Sequence, residues 1–225
     1  MAAQDPLPLK DRLDAGRKLA RALQAFKGQP DLLVLGLPRG GVPVAHEVAR
    51  LLGAPLDIFV VRKIGIPGAP EYAIGAIASG GVQVLDPHAP GTAYAREIQA
   101  VVRSETRELE RRERVYRGAH PRIDPAHRTV IVVDDGMATG ATMEAAARAL
   151  RRARPRRLVV AVPVASSSAL TRLRPFVDEM VCVAAPEPFR AVSLWYERFE
   201  QCTDDEVQRL LEGAWSEATH AEGAR

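Results

Sequence analysis

The stretch that decides the fold is Thr129-Val130-Ile131-Val132-Val133-Asp134-Asp135-Gly136-Met137-Ala138-Thr139-Gly140-Ala141-Thr142. It begins with a continuous β-branched run, which is typical of a strand buried on both faces of a parallel sheet. Two carboxylates and a turn of small residues follow, and Thr142 to Ala147 then start a helix. The stretch therefore predicts a strand, a tight loop and a helix in succession.

The loop of this stretch has the features of an anion site. Backbone N–H groups converge there, the helix N-terminus adds partial positive charge, and two glycines let a phosphate approach the backbone closely. Thr139 and Thr142 add hydroxyl donors. Because Asp134 and Asp135 would repel a phosphate, they should face another part of the same ligand, and the adjacent hydroxyls of a ribose fit. The loop therefore predicts a sugar phosphate as the ligand. The simpler alternative is that the acids only start a loop and that Thr142 only caps a helix.

A second loop of the same kind occurs earlier in the chain. The apolar run Leu32 to Leu35 leads into Gly36-Leu37-Pro38-Arg39-Gly40-Gly41-Val42-Pro43, and a helix follows up to Gly53. Backbone N–H groups beside a guanidinium suit a pyrophosphate, because Arg binds such oxygens in a bidentate way. An ordinary strand-to-helix turn is the alternative.

The hydrophobic run, the acid pair and the Gly/Thr loop resemble the phosphoribosyl pyrophosphate-binding motif of the type I phosphoribosyltransferases, and the second loop resembles their pyrophosphate loop. The resemblance implies transfer of a 5-phosphoribosyl group to a nitrogenous acceptor, such as a nucleobase, with release of pyrophosphate. It also implies a non-proline cis peptide at Pro38–Arg39. The residues that it implies for binding phosphoribosyl pyrophosphate are Pro38, Arg39, Gly40, Gly41, Asp134, Asp135, Gly136, Met137, Ala138, Thr139, Gly140, Ala141 and Thr142.

Catalytic roles follow from the same resemblance. The family carries a mobile loop after the strand that corresponds to Leu56–Val61, and Ile64 to Tyr72 is rich in Gly and Pro, which predicts a loop. Lys63 or Arg62 could neutralise the departing pyrophosphate, or could be a solvated strand end. The implied catalytic residues are Asp134, Asp135, Lys63 and Arg39. Mg²⁺ is the implied cofactor, with Asp134 and Asp135 as its protein ligands.

Acceptor binding is assigned by position in the chain. The run Leu158 to Ala165 predicts another buried strand, and its end carries Val164-Ala165-Ser166 where some purine enzymes have a Lys. That difference argues against a 6-oxopurine. After the last predicted strand, Phe176 to Val183, the resemblance implies an aromatic side chain that stacks on the acceptor. Phe189 is the first candidate, and Trp195 and Tyr196 are lesser ones. Packing in a satellite core is the alternative for these rings.

The order of elements predicts an α/β fold with a doubly wound, mainly parallel sheet and a small hood. A single domain is expected over residues 1–225, with a core over about 30–184. The hood should come from about 64–90 and 185–202, including a hairpin at 73–85. Amphipathic patterns predict helices over Asp11 to Phe26 and Thr92 to Arg117, and a capping box at Thr203 predicts a C-terminal helix over 203–216, followed by a polar tail.

The composition of the chain narrows the range of possible functions. The chain has 225 residues, 26% of them charged, and a net charge of +3, which is too weak to argue for nucleic acid. No stretch has the length and apolarity of a membrane span or of a secretory signal. Cys182 and Cys202 lack disulfide or metal spacing, which favours a reducing cytoplasm. The resemblance adds nucleotide metabolism and a homodimer as expectations. A non-catalytic regulatory protein that binds the same ligand, and an unrelated enzyme on a doubly wound sheet, are the alternatives.

Overall fold

The computed structural model describes residues 7–66, 69–85 and 95–223 of the chain. Within these residues the strands are β1 (Leu32–Gly36), β2 (Leu56–Ile58), β3 (Val61–Ile66), β4 (Ala69–Ala78), β5 (Val82–Leu85), β6 (Thr129–Val133), β7 (Arg157–Val164) and β8 (Glu179–Ala184). The α-helices are α1 (Arg12–Ala22), α2 (Gly41–Leu52), α3 (Ala95–Arg117), α4 (Ala141–Arg152), α5 (Ser167–Leu173) and α6 (Asp204–Gly223).

Five parallel strands form the central sheet, in the order β2-β1-β6-β7-β8. From β1 the chain crosses to β2 on one side, and it later returns to β6 on the other side. The crevice between β1 and β6 is therefore the switch point at which such sheets bind ligands. The predicted doubly wound, mainly parallel α/β sheet is confirmed.

Both faces of the central strands are covered, which explains their continuous apolar sequences. Alternate side chains of β1 and β6 face α1, α2 and α6, and the others face α4 and α5. The side chains on the first face are Leu32, Val34, Ile131 and Val133, and those on the second are Leu33, Leu35, Val130 and Val132. The core thus fixes the strand ends from which the functional loops start.

A second sheet of three antiparallel strands, in the order β3-β4-β5, contains the predicted hairpin. The prediction of a loop from Ile64 to Tyr72 was wrong, because residues 64–66 belong to β3 and 69–72 to β4. Register shifts next to Gly65 let this Gly-rich segment pair as a ladder. Residues 67–68 and 86–90 of the predicted hood, and the predicted start of a helix at Thr92, lie outside the described residues.

Several predicted boundaries were also wrong. The run Leu56 to Val61 is divided, because Val60 donates its N–H to Ser79 Oγ at 2.8 Å and the chain turns there into the second sheet. The segment Arg174–Phe176 is a 3-10 helix, and β8 begins only at Glu179. At the C-terminus α6 continues to Gly223, beyond the predicted end at 216.

Both cysteines are free, and burial raises the pKa of Cys182 to about 11 and that of Cys202 to about 12. Only the thiolate reacts with iodoacetamide, so both thiols of the folded protein are expected to be at least about tenfold slower to alkylate at pH 8 than those of the protein in denaturant. Alkylation followed by mass spectrometry checks this. Equal rates for the folded and unfolded chains would contradict it.

Candidate functional site

The two glycine loops leave neighbouring strands at the same level. Gly36 at the end of β1 lies opposite Val133 at the end of β6, and the Leu37 N–H donates to the Val133 carbonyl at 2.9 Å. The segment 38–41 therefore begins beside Asp134. Strand register, which local sequence does not encode, brings the two motifs together.

The loops are in direct contact. A Cβ placed on Gly40 would overlap the Asp135 carboxylate, 2.7 Å from its Cγ, and one on Gly41 would lie 2.7 Å from the Val133 carbonyl oxygen. Gly40 has φ −61° and ψ −29°, which any residue adopts, so lack of space, and not conformation, requires glycine there. The turn that holds Arg39 thus lies against the acid pair.

The turn between β1 and α2 contains the cis peptide at Pro38–Arg39 that the resemblance implied. Gly41 N–H donates to the Leu37 carbonyl, and Val42 N–H to that of Arg39. Within the described residues, the N–H groups of Arg39 and Gly40 have no acceptor. Two backbone donors are therefore free to meet an anion, beside the guanidinium of Arg39.

The loop between β6 and α4 is anchored to the end of β7. Met137 N–H donates to the Val164 carbonyl at 3.0 Å, and Ser166 N–H donates back to Met137 at 2.9 Å. Ser166 Oγ donates to the Ala138 carbonyl at 2.6 Å and accepts the N–H of Ala169. These contacts fix the loop without using the donors at its tip.

The tip of this loop offers free donors at the start of α4. Ala138 and Thr139 are exposed, and in the described part of the chain the N–H groups of Ala138, Thr139 and Gly140 have no protein acceptor. Gly140 has φ 71°, the left-handed region that glycine adopts without strain. The helix dipole adds positive charge at the same place, so the tip suits a phosphate.

The acid pair lies deep between the loops. Asp135 N–H donates to Asp134 Oδ1 at 2.9 Å, and Arg12 Nε donates to Asp135 Oδ2 at 2.8 Å. Burial raises the pKa of Asp134 well above its ordinary value, and the charge of Asp135 raises it further. Burial also raises the pKa of Asp135, while Arg12 acts in the opposite direction. The carboxylates therefore favour a ligand that brings hydrogen-bond donors or positive charge.

Arg12 is a site residue that sequence reasoning missed. It begins α1, 123 positions from Asp135, and no local pattern connects the two. Its guanidinium stacks 4.0 Å from the centre of the Phe199 ring and donates to the Glu200 carbonyl at 2.7 Å. Tyr196 OH donates to the Asp135 carbonyl at 2.6 Å. Residues 196–204, which we call the C-terminal strap, thus contact the acid pair both directly and through Arg12.

Arg39 also has partners that the sequence did not indicate. Its Nη1 lies 3.7 Å from Asp204 Oδ1 at the start of α6, and the side chains are 37% and 42% exposed. Tyr116 OH donates to the same Asp204 oxygen at 2.8 Å. The ion pair is long and half exposed, so it orients the guanidinium while leaving donors for a ligand.

Lys63 shares a cavity with the start of α4. It lines a cavity of about 130 Å³ together with Ala141, the first residue of α4. The other lining residues come from β4, β5, α4 and α5. Arg62, the alternative to Lys63, donates to Glu105 at 2.6 Å. The two candidates for the pyrophosphate-neutralising role thus have different surroundings. Lys63 lies in the cavity beside the start of α4, whereas Arg62 is used in an ion pair with Glu105 of α3.

Phe189 and Trp195 lie beside the loop between β6 and α4. Their ring centres are 6.0 Å apart at 35°, and both pack against a small apolar cluster that includes Val164. A Cβ on Gly136 would lie 2.5 Å from Val192 Cγ1, so this segment covers the loop. Trp195 Nε1 is buried and has no hydrogen-bond partner among the described residues. Both rings therefore pack in a satellite core, as the alternative predicted, and Trp195 also has an N–H group without a partner there.

The donor set fits a magnesium ion that is held mostly by its ligand. No three His, Cys, Asp or Glu side chains converge on one point within the described residues. Mg²⁺ bound with phosphate substrates needs only one or two carboxylates, and the remaining oxygens come from substrate and water. Asp134 and Asp135 meet that requirement beside the phosphate donors.

The strand order defines a doubly wound α/β protein with both glycine loops at its switch point. The chain belongs to the phosphoribosyl transferase domain family, whose model matches residues 9–184. The expected family membership is confirmed. No helix within the described residues has the length and apolarity needed to cross a membrane.

Relatives are similar over most of the chain. Two proteins of Mycobacterium tuberculosis, named "Putative phosphoribosyl transferase Rv0571c" and "Putative phosphoribosyl transferase MT0597", are each 47% identical over 206 residues. The match covers 91% of this chain and 46% of theirs, so the chain spans about half the length of these relatives. The crystal structure of TT1426 from Thermus thermophilus is similar with a TM-score of 0.82 and 45% identity, over 90% of this chain and 97% of that one.

Proposed function

We propose that the protein transfers a 5-phosphoribosyl group from phosphoribosyl pyrophosphate to a nitrogenous acceptor, with release of pyrophosphate. The observation that supports this most is the contact between the two loops, in which Gly40 lies against Asp135. The free N–H groups at the tip of the loop after β6, the acid pair and the Arg39 turn are then neighbours in that order. One ligand with a phosphate, a diol and a pyrophosphate matches that order.

The first half of the ligand would be held by the loop after β6. The free N–H groups of Ala138, Thr139 and Gly140 would bind the 5-phosphate, with the hydroxyls of Thr139 and Thr142 as further donors. Asp134 and Asp135 would accept hydrogen bonds from the two ribose hydroxyls. Those bonds compensate for the burial of the carboxylates.

The second half would be held by the turn after β1. The N–H groups of Arg39 and Gly40 and the Arg39 guanidinium would bind the pyrophosphate. Mg²⁺, bound at Asp134 and Asp135, would supply further positive charge to the pyrophosphate and ribose oxygens. Lys63 would add positive charge from the edge of the second sheet.

The reaction follows from this placement. The acceptor nitrogen forms a bond to C1 of the ribose as the bond from C1 to the pyrophosphate oxygen breaks. Pyrophosphate leaves with the electron pair and takes up the proton that the acceptor nitrogen loses. The transition state carries positive charge on the ring and negative charge on the leaving group. Fixed donors at the pyrophosphate stabilise it most in a site that excludes water. Phe189 and Trp195 would hold the acceptor beside the loop.

Calorimetric titration with phosphoribosyl pyrophosphate and Mg²⁺ tests the proposal. Replacing both Asp134→Asn and Asp135→Asn should weaken binding by at least about tenfold, because hydrogen bonds to charged groups are lost. A regulatory protein would bind the ligand without releasing pyrophosphate in the presence of nucleobases and amines. Binding that the double substitution leaves unchanged would count against the assigned roles.

A further inference from the structure

We propose that the C-terminal strap positions the two guanidinium groups of the site, holding Arg12 through Phe199 and Glu200, and Arg39 through Asp204. The strap begins after residue 184, where the match to the family domain ends. The strap residues that contact these two arginines therefore lie outside the family match. The identity of the ligand in this inference rests on the proposed function.

The strap is itself fixed by backbone pairing. Glu197 N–H donates to the Leu9 carbonyl at 2.8 Å, and Arg198 N–H donates to the Lys10 carbonyl at 3.1 Å. This pairing lies directly before α1, whose first residue is Arg12. The strap and Arg12 are therefore held in one local register.

Arg12 is ordered on three sides. It donates to Asp135 and to the Glu200 carbonyl, and its guanidinium stacks on Phe199. The side chains of Arg12 and Asp135 are each 14% exposed. A Cβ on Gly40 would lie 3.2 Å from Arg12 Nε, so the guanidinium lies between the acid pair and the pyrophosphate turn. Its position affects the diol end of the crevice through Asp135.

Arg39 is ordered from the other end of the strap. Thr203 Oγ1 accepts the N–H of Glu206 at 3.1 Å and so fixes the start of α6, where Asp204 lies. The buried Tyr116 holds the Asp204 carboxylate, which in turn attracts Arg39. A half-exposed pair of this kind contributes little to folding. The ion pair with Asp204 instead determines the orientation of the Arg39 guanidinium.

Asp204→Ala tests the contact with Arg39, and Phe199→Leu tests the contact with Arg12. Asp204→Ala should weaken binding of phosphoribosyl pyrophosphate and of free pyrophosphate by about three- to fivefold, and leave ribose 5-phosphate unchanged. Asp205→Ala is the matched control, because Asp205 is exposed in the same helical turn and has the same charge. Tyr116→Phe should act in the same direction as Asp204→Ala. Tighter or unchanged pyrophosphate binding in Asp204→Ala would overturn the role of Asp204.

Phe199→Leu tests the other contact. It should weaken binding of phosphoribosyl pyrophosphate and ribose 5-phosphate by about three- to tenfold, as expected for a partly buried cation–π contact. Phe26→Leu is the matched control, because that ring also carries an arginine, Arg157, at 5.1 Å, and Arg157 lies at the start of β7, away from both loops. Equal effects of Phe199→Leu and Phe26→Leu would overturn the role of Phe199.

A measurement on the protein without ligand tests the positioning of the two arginines independently of the proposed function. In nuclear magnetic resonance spectra of the full chain, the Nε–H signal of Arg12 should shift in Phe199→Leu, and that of Arg39 in Asp204→Ala. The two controls should leave both signals in place. If the wild-type protein fails to bind phosphoribosyl pyrophosphate, the proposed function fails, while these shifts still support the positioning. Unshifted signals would overturn the positioning whatever the ligand.

Discussion

Gly40→Ala is expected to weaken binding of phosphoribosyl pyrophosphate by about 100-fold or more, because displacement of a binding group by 1 Å can have an effect of that size. The new methyl group would overlap the Asp135 carboxylate and lie 3.2 Å from Arg12 Nε. Either the acid pair or the turn after β1 must move. In both cases the groups proposed to bind the diol move relative to those proposed to bind the pyrophosphate, so one ligand can no longer contact both.

The same substitution at Gly213 is the control. A Cβ there meets no atom within 4 Å, and Gly213 lies inside α6, where alanine is favoured over glycine by about 0.5–1 kcal/mol. Gly213→Ala should therefore bind the ligand normally and unfold at a slightly higher temperature. Calorimetry and thermal unfolding of both variants give the comparison. Binding by a folded Gly40→Ala protein at the wild-type affinity would show that the two loops do not share one ligand.

The loops could be predicted because each carries its chemistry in a short segment. A β-branched run, acids, glycines and threonines lie within 14 consecutive positions from Thr129 to Thr142. The resemblance extended this to the cis peptide at Pro38–Arg39. Segments of this kind depend on local backbone geometry, which neighbouring residues determine.

The partners of the charged groups could not be predicted in this way. Arg12 and Asp135 are 123 positions apart, and their contact depends on how α1 packs beside the sheet. Arg39 and Asp204 likewise meet only after α6 has folded back. The wrong loop at Ile64 to Tyr72 has a related cause, because strand pairing overrode the local preference of Gly and Pro for turns.

A second large effect is expected on stability, at a buried ion pair away from the crevice. Asp57 in β2 is fully buried and accepts hydrogen bonds from Arg117 and from the Ile123 N–H. Arg117, the last residue of α3, also donates to the Ile58 carbonyl at 2.9 Å. The pair therefore fastens the end of α3 and the following segment to the edge of the central sheet.

Arg117→Leu should lower the free energy of unfolding by about 3–5 kcal/mol, because it leaves the Asp57 carboxylate buried without a counter-charge. For a chain of this size that corresponds to a fall of roughly 6–20 °C in the unfolding midpoint. Arg156→Leu is the matched control. Arg156 pairs with Asp31 at 2.7 Å, but its side chain is 61% exposed, so the change should stay within about 1 kcal/mol.

Adding Asp57→Asn to Arg117→Leu separates the two causes of this loss. The amide oxygen can still accept the Ile123 N–H, while the buried charge is gone, so the double variant should recover part of the stability lost in Arg117→Leu. Chemical denaturation of the three variants beside the wild-type protein measures each step. If the double variant is no more stable than Arg117→Leu, lost packing and the lost bond to Ile58 explain the effect. If Arg117→Leu is as stable as Arg156→Leu, the buried pair does not hold α3 to the sheet.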